Sequence, residues 1–436
     1  MMQVTRRPRV LLCATTTGYQ TRMFDEAASR LDVELVLATD RCDQLDDPWR
    51  DRAVAVRFHD EAASVHAVLQ ALAGQRLDGV LAVGDRPVVL AALVAEARRV
   101  PWHSVAGARV SRDKRRFRAC QRAHGLPAPW ALTVPAGQLD PPGGVSYPCV
   151  VKPLVLSGSR GVMRANDGVE LRAALARLRA LLAAPDVREL RDEAAEAIQI
   201  EGYVDGDEFA LEGVMDHGRL HVLAVFDKPE PLTGPYFEET VYLTPTARTR
   251  AQALALIPAV TRAAHAAGLW HGPVHAECRV SALGDLDTSG EVVVLEVAAR
   301  PIGGLCARAL VFDGASGAGV PLEEVLLAHA AALAPPCWRL AGAAVGVMMV
   351  PIPRSGVLRA VAGEDDARAV PLVSGVEITA KTDQRLVALP EGASYLGFIF
   401  AEGPDDRAVH RALRDAHARL SFQIDPVIEV RAAVGA

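Results

Sequence analysis

Residues 148–162, PCVVKPLVLSGSRGV, govern how the rest of the chain is read. The first half is an apolar run with one lysine, Lys152, inside it. An ammonium in an apolar strand is costly unless it meets an anion. The second half is Ser157, Gly158, Ser159, Arg160 and Gly161. Glycine permits close backbone approach, and hydroxyls with backbone N–H groups can cradle phosphate oxygens. Taken alone, a strand-edge lysine before an ordinary Gly/Ser turn is the slightly better reading. The segment matches neither the P-loop nor the dinucleotide-binding glycine pattern. Its meaning depends on what flanks it.

Upstream, RVLLCA (9–14), a helix-like TRMFDEAASRL and the apolar VELVLAT read as strand, helix, strand. LDGVLAVGD and RPVVLAALVAEARRV repeat the alternation. This order predicts a parallel, helix-covered sheet, a Rossmann-like α/β domain over 1–110. Residues 111–127 read as one helix, capped by Ser111 and stopped by Gly125 and Pro127. QLDPPGGVSYP is a linker. A long helix is predicted over 169–197, then strands IQIEGYV, EFALEGVM and RLHVLAVF. A helix at 248–267 precedes VHAECRV, a turn SALGDLDTSG and EVVVLEVAA. Residues 320–335 read as helical. Beyond Gly342 come strands VGVMMVPI, VLRAV, LVALP and YLGFIFA, the helix DRAVHRALRDAHARL and a strand-like tail. The fold class is therefore α/β followed by α+β, divided at 1–110, 111–205, 206–335 and 336–436.

Composition limits the function classes. The chain has 436 residues, 50% hydrophobic and 23% charged, with a net charge of −6. That balance gives no reason to expect a nucleic-acid partner or an anionic membrane. No apolar run approaches the roughly 20 residues of a spanning helix. The opening TRRPRVLLCATTTGYQ has too short an apolar core for a signal peptide and reads as a first strand. Seven scattered cysteines without a CxxC pair point to a reduced, cytoplasmic setting. Cys13 and Cys149 read as core filler. His265 and His271 read as structural, and Arg112 to Arg118 as a solvated helix face.

Two acidic groupings follow the lysine segment. In IQIEGYVDGDEFAL (198–211), Glu201, Tyr203 and Val204 form a hinge whose backbone could recognise a flat base. Glu208 could accept hydrogen bonds from ribose hydroxyls. In 274–280, Val274, Ala276, Cys278 and Val280 point one way and His275, Glu277 and Arg279 the other. Antiparallel pairing across the following turn brings Glu277 near Glu296. Two carboxylates that close resist ionisation unless a cation bridges them, and Mg²⁺ suits such oxygen donors. Either glutamate alone reads better as a solvated acid; the group reads better as a site.

The ordered set SRDKRRFRACQRAHGLPAP, CVVKPLVLSGSRGV, IQIEGYVDGDEFAL, VHAECRV and VVVLEVAARPIGG resembles the ATP-grasp superfamily over almost the whole chain. FDKPEPLTGPYFEETVYLTP, GLWHGPVHAE, VMMVPIPRSGVLRAV and LPEGASYLGFIFAEG make it most similar to the L-amino-acid ligases, dipeptide synthetases of the bacilysin synthetase type. The resemblance implies an ATP-grasp fold, with a pre-ATP-grasp N-terminal domain, and ATP held between two subdomains. Lys114 and Lys152 would contact ATP, loop 157–161 would close over the triphosphate, and Lys228 would reach a phosphate. Glu277 and Glu296 would hold Mg²⁺, with Mn²⁺ as an alternative. Ala298 stands where many relatives carry a ligating Asn. Arg300 would stabilise the transferring phosphoryl group, and Gly303 and Gly304 would sit beside the acceptor carboxylate. Glu238 and Glu239 are alternatives for reading a substrate amino group, and His275 and Arg279 face the substrate. The implied activity is amide-bond formation between an amino acid and an amine or second amino acid, by a small-molecule ligase that relatives suggest is a homodimer. Competing readings are an ATP-grasp carboxylase, a purine-type ligase and a non-catalytic nucleotide-binding protein.

Overall fold

The computed structural model describes residues 6–15, 19–40, 53–281, 291–314, 317–333, 338–342, 344–392 and 394–427. The expected turn at 282–290 and the end of the C-terminal tail lie outside them.

The N-terminal unit is a parallel sheet in the order Val54–Ala55, Glu34–Thr39, Arg9–Ala14, Gly79–Val83. Its central strand is buried from Val10 to Ala14, as expected of a parallel strand covered on both faces. Helices Tyr19–Leu31 and Glu61–Ala71 connect strands of the sheet, and helix Val88–Arg98 follows its last strand. Gly84, at φ +85°, turns the chain sharply after the Gly79–Val83 strand. This delivers Asp85 to the carboxyl end of the sheet, where open α/β sheets form their crevices.

Two helices, not one, occupy the next stretch: Val105–Arg112 and Lys114–Ala123. Asp113 separates them in an extended conformation and accepts from the N–H groups of Arg115 and Arg116. A carboxylate is a strong N-cap acceptor, so the cap is Asp113. Ser111 instead donates its hydroxyl to the Ala108 carbonyl in the last turn of the first helix.

The small subdomain is an antiparallel sheet in the order Ala131–Pro135, Ala197–Gly202, Cys149–Pro153, Met163–Ala165. Helix Gly168–Leu182 buries Leu171, Leu175 and Leu178 against it. That spacing is one helical stripe. The expected helix over 169–197 ends early: Pro185 begins a separate short turn of helix to Arg188, and a 3₁₀ turn spans Glu193–Glu196. Proline cannot continue the hydrogen-bond ladder.

The large sheet has eight strands, every neighbour antiparallel: Val292–Ala298, Gly272–Val280, Asp207–Asp216, Arg219–Asp227, Val241–Thr244, Ala344–Val350, Gly397–Gly403, Val373–Ile378. It therefore runs on past residue 335. Helix Ala247–Ala267 packs Leu256, Val260, Ala263, Ala264 and Ala267 into the core, and helix Asp406–His417 buries Val409 and Leu413. The helix expected at 320–335 is Leu322–Ala330, preceded by a short strand Gly319–Pro321. Of LVALP, only Leu386 is in a strand, Arg385–Leu386, which pairs with Gly356–Ala362. Strand Ser421–Asp425 completes that three-stranded sheet.

Candidate active site

The site lies between the two antiparallel sheets and the carboxyl end of the N-terminal sheet. Strand alternation builds its floor. Val274, Ala276 and Cys278 face the core, while Glu277 stands directly opposite Glu296. The register slips immediately after that pair, since Glu277 meets Glu296 but Cys278 meets Val294. The extra residue, Leu295, is a bulge that lines the cleft, a common device for re-aiming side chains beside a site.

Lys228 is the floor's central cation and only 4% exposed. Its ammonium donates to Glu208 at 2.7 Å, to Glu277 at 3.3 Å and to Glu239. Burial opposes the charge, but Glu208, Glu239 and Glu277 together raise the Lys228 pKa well above the ordinary lysine value. Burial, with Glu277 adding to it, pushes Glu239 up to about 7. For Glu277 burial works upward too, yet Lys228 and His275 hold it well below the usual carboxylate range. The Tyr242 hydroxyl donates to Glu239 at 2.8 Å. Lys228 thus neutralises carboxylates here rather than facing an open phosphate pocket. Of the two candidate glutamates, Glu239 lines the cleft, whereas Glu238 is not among its lining residues.

The wall carrying Lys152 holds a second ion cluster. Lys152 pairs with Glu201, and Arg118 reaches the same carboxylate through Nε at 3.0 Å and Nη2 at 3.2 Å. Against the effect of burial, Arg118 and Lys152 hold Glu201 down at about 2. Arg118 is 1% exposed, so the expectation of a solvated face across 112–118 fails at this residue. Arg112 is also paired, with Asp192. Arg118 sits one helical turn from Lys114, and that spacing was a signal for it. Lys114 donates to the Leu156 carbonyl at 3.1 Å and lies 3.7 Å from Glu296.

At the hinge, the N–H groups of Gly202 and Tyr203 already donate to the carbonyls of Trp130 and Pro148. The Val204 carbonyl accepts from Arg279 at 2.6 Å. Arg279 also donates to Glu208 at 2.8 Å and to the Leu232 carbonyl. All three nitrogens of its fork are engaged within the protein. Arg279, expected to face the substrate, lines the cleft and also clamps the hinge to the floor. Glu208 gives one oxygen to Lys228 and the other to Arg279, and each oxygen keeps a second lone pair for an incoming hydroxyl.

Loop 157–161 lines the cleft through Ser157, Gly158 and Ser159. Gly158, Ser159 and Gly161 have φ of +62°, +57° and +76°. The Gly161 N–H donates to the Pro390 carbonyl at 2.7 Å and Arg160 Nε to the Glu391 carbonyl at 2.8 Å. The loop is therefore held by the C-terminal part of the chain.

Arg300 enters from the far side, and its partner is Asp85, at 2.8 Å from Nε and 3.3 Å from Nη2. His275 is buried, 3.0 Å from Glu212 and 3.8 Å from Glu277. Although burial opposes it, these carboxylates raise His275 to about 9. Glu212 also accepts from the Ile302 N–H, which fixes the segment that follows strand Val292–Ala298 and leads to Gly303 and Gly304. Gly304 has φ +63°, and a Cβ there would lie 3.2 Å from the Phe398 ring. Its carbonyl accepts from Gln20 at 2.8 Å. Asp85, Glu212 and Tyr242 escaped the sequence reading. Glu212 was accessible in principle: Glu208 and Glu212 lie on one face of a single strand.

The donor set fits a hard divalent cation. Glu277 and Glu296 face each other, and carboxylate oxygens of Glu208, Glu239 and Glu277 lie within 4.8 Å of one another. Lys228 occupies the centre of that second group as a stand-in cation. Ala298 adds no oxygen.

Sheet order, the hinge, the cation-bearing strand and the facing glutamates define an ATP-grasp fold. A family model described as ATP-grasp domain matches residues 145–309. A second, described as L-amino acid ligase C-terminal domain 2, matches residues 348–425, and the chain resembles L-amino-acid ligases. Among solved structures, an L-amino acid ligase from Bacillus licheniformis is 24% identical, with TM-score 0.76, covering 97% of this chain and 100% of that one. Phosphoribosylglycinamide synthetase from Anaerococcus prevotii is 13% identical, with TM-score 0.64 over 96% and 100% of the two chains. N5-carboxyaminoimidazole ribonucleotide synthetase from Thermotoga maritima is 14% identical, with TM-score 0.65 over 96% and 99%. A sequence comparison with curated proteins finds no match. Among the described residues, no helix is long and apolar enough to cross a membrane.

Proposed function

We propose that the protein is an ATP-dependent carboxylate–amine ligase that joins an amino acid to an amine or second amino acid, releasing ADP and phosphate. The observation that carries this reading is the gathering of Lys114, Lys152, Glu239, Glu277, Glu296 and Arg300 around one cleft. The match of 348–425 to an L-amino acid ligase domain favours an amino-acid acceptor over the purine and carboxylation chemistries of other structural neighbours.

A carboxylate is a poor electrophile at neutral pH. In the first step its oxygen attacks the γ-phosphorus of ATP, the bond to the bridging oxygen breaks, and ADP leaves. In the second, the neutral amine attacks the acyl carbon, the acyl–phosphate C–O bond breaks, and phosphate departs as the nitrogen gives up a proton. Positioning and charge neutralisation carry such chemistry. Arg300, held by Asp85, faces the phosphoryl group in flight. Lys152 and Lys114 orient the nucleotide. Glu277 and Glu296 would hold Mg²⁺ or Mn²⁺, which supplies neutralisation of the triphosphate. Glu239, once ionised, holds the substrate's ammonium group. Loop 157–161, docked on 390–391, keeps water from the acyl phosphate.

The test is incubation with ATP, Mg²⁺ and pooled amino acids, reading phosphate release and product masses. Amide products in step with phosphate are expected. Phosphate release that depends on bicarbonate and yields no amide would overturn the reading.

A further inference from the structure

The strand that carries Glu208 into the ATP cleft ends, at its other extremity, in a second cluster of ligand-type side chains. Strand Asp207–Asp216 runs from Glu208 to Asp216, a distance of roughly 27 Å at about 3.3–3.4 Å per residue. The two clusters are therefore independent.

Local structure assembles the second cluster from three segments. Asp216 ends its strand, and His217 and Gly218 form a tight turn, with φ of +46° and +86°, into strand Arg219–Asp227. Positive φ at both central positions is the hairpin turn that matches strand twist. Gly272 pairs with Met215, so His271, the residue before that strand, arrives beside Asp216. His329 comes from the last turn of helix Leu322–Ala330.

Asp216 Oδ1 lies 3.2 Å from His329 Nε2, 3.5 Å from His271 Nδ1 and 3.9 Å from His217 Nε2. One ligand atom from each of Asp216, His217 and His271 falls within a 4.8 Å group. Bonds of about 2.0–2.1 Å in a tetrahedron place ligand atoms roughly 3.3 Å apart, so small rotations bring this set onto one ion. A second observation is independent of that spacing. His271 is 8% exposed, yet its Nδ1 has no hydrogen-bond partner. A buried ring nitrogen left unsatisfied carries a desolvation penalty, which a metal bond removes.

We propose that Asp216, His217 and His271 bind a divalent transition cation, with Zn²⁺ the best match to two imidazoles and a carboxylate. His217 is largely exposed, leaving a fourth position open to solvent. His329, donating to Asp216, orients that carboxylate as an outer-shell partner. The ion would tie the hairpin, the start of strand Gly272–Val280 and, through His329, helix Leu322–Ala330.

The test uses the full chain, stripped with a chelator, desalted, and titrated with Zn²⁺ under saturating Mg²⁺ against a chromophoric competitor. One tight equivalent per chain and a zinc-dependent rise in Tm are expected. H217A, at an exposed turn, should fold normally and lose the tight equivalent. H329A should weaken binding by roughly 10–100-fold. E277Q with E296Q should retain the tight equivalent, separating it from the ATP site. Absence of stoichiometric Zn²⁺ in the unaltered chain, or its retention in both H217A and H271A, overturns the proposal.

Discussion

Asp85 contacts Arg300 from the N-terminal sheet, and the consequence can be measured. Its two oxygens accept from Nε at 2.8 Å and Nη2 at 3.3 Å. The pair is largely buried, with side chains 12% exposed at Arg300 and 24% at Asp85. Asp85→Asn keeps the shape and removes the charge. A hydrogen bond to a charged group contributes about 1.5–3 kcal/mol. If that energy holds the guanidinium where phosphoryl charge develops, its loss lowers kcat by roughly 10–100-fold, at about 1.4 kcal/mol per factor of ten. Asp85 does not bind ATP on this reading, so KM for ATP should stay within about twofold. The assay is steady-state ADP release at saturating ATP with an amino-acid pair found by the substrate screen. A double-mutant cycle sharpens it. Because Asp85 acts through Arg300, Asp85→Asn combined with Arg300→Ala should be no slower than Arg300→Ala alone. An unchanged kcat for Asp85→Asn, or a further tenfold loss in the double variant, refutes the reasoning.

Three other perturbations have defined outcomes. Arg118→Met leaves Glu201 and Lys152 without their buried third partner; thermal melts should report destabilisation of about 3–5 kcal/mol, and Arg118→Lys should not restore the bidentate contact. Glu239, raised to about 7 by burial and then Glu277, must lose its proton to hold an ammonium, so activity should rise as pH passes through about 7; Glu239→Gln should remove that acid limb from the pH–rate profile. Glu391 binds Arg177 of the small subdomain at 2.8 Å and 2.9 Å, so Glu391→Ala should loosen the docked loop, and the ratio of phosphate to amide product should climb; an unchanged ratio would argue that closure rests on the backbone bonds from Gly161 and Arg160 alone.

The legible parts of this molecule were those governed by local rules. Alternation in VHAECRV placed His275, Glu277 and Arg279 on one face, and the pairing of Glu277 with Glu296 followed from one antiparallel turn. Element boundaries shift from the expected ones where neighbouring residues compete. Asp113 out-competes Ser111 as a cap because its carboxylate reaches two N–H groups, and Pro185 ends a pattern whose composition alone looks continuous. What could not be read were partnerships across long separations. Arg300 meets Asp85, 215 residues away, and Arg118 meets Glu201, 83 residues away. A charged residue on an amphipathic helix looks the same in sequence whether water or a buried carboxylate awaits it. Only the docking of helix Lys114–Ala123 onto the small sheet decides the case.

These partnerships also change the meaning of the chain's modest net charge of −6. The proposed triphosphate needs concentrated positive charge, yet among the described residues every cation lining the cleft already has a carboxylate partner. Each cation is matched by a carboxylate from another segment: Lys228 by Glu208, Glu239 and Glu277, Lys152 by Glu201, Lys114 by Glu296, Arg300 by Asp85. Buried charges need such partners. On the proposed function, an incoming triphosphate would exchange for carboxylates already paired with these cations. Glu296, the partner of the cleft-lining Lys114, would then require a cation of its own. On the proposed function, coupling of nucleotide binding to a divalent ion would be in this sense a charge-balance requirement of the cleft.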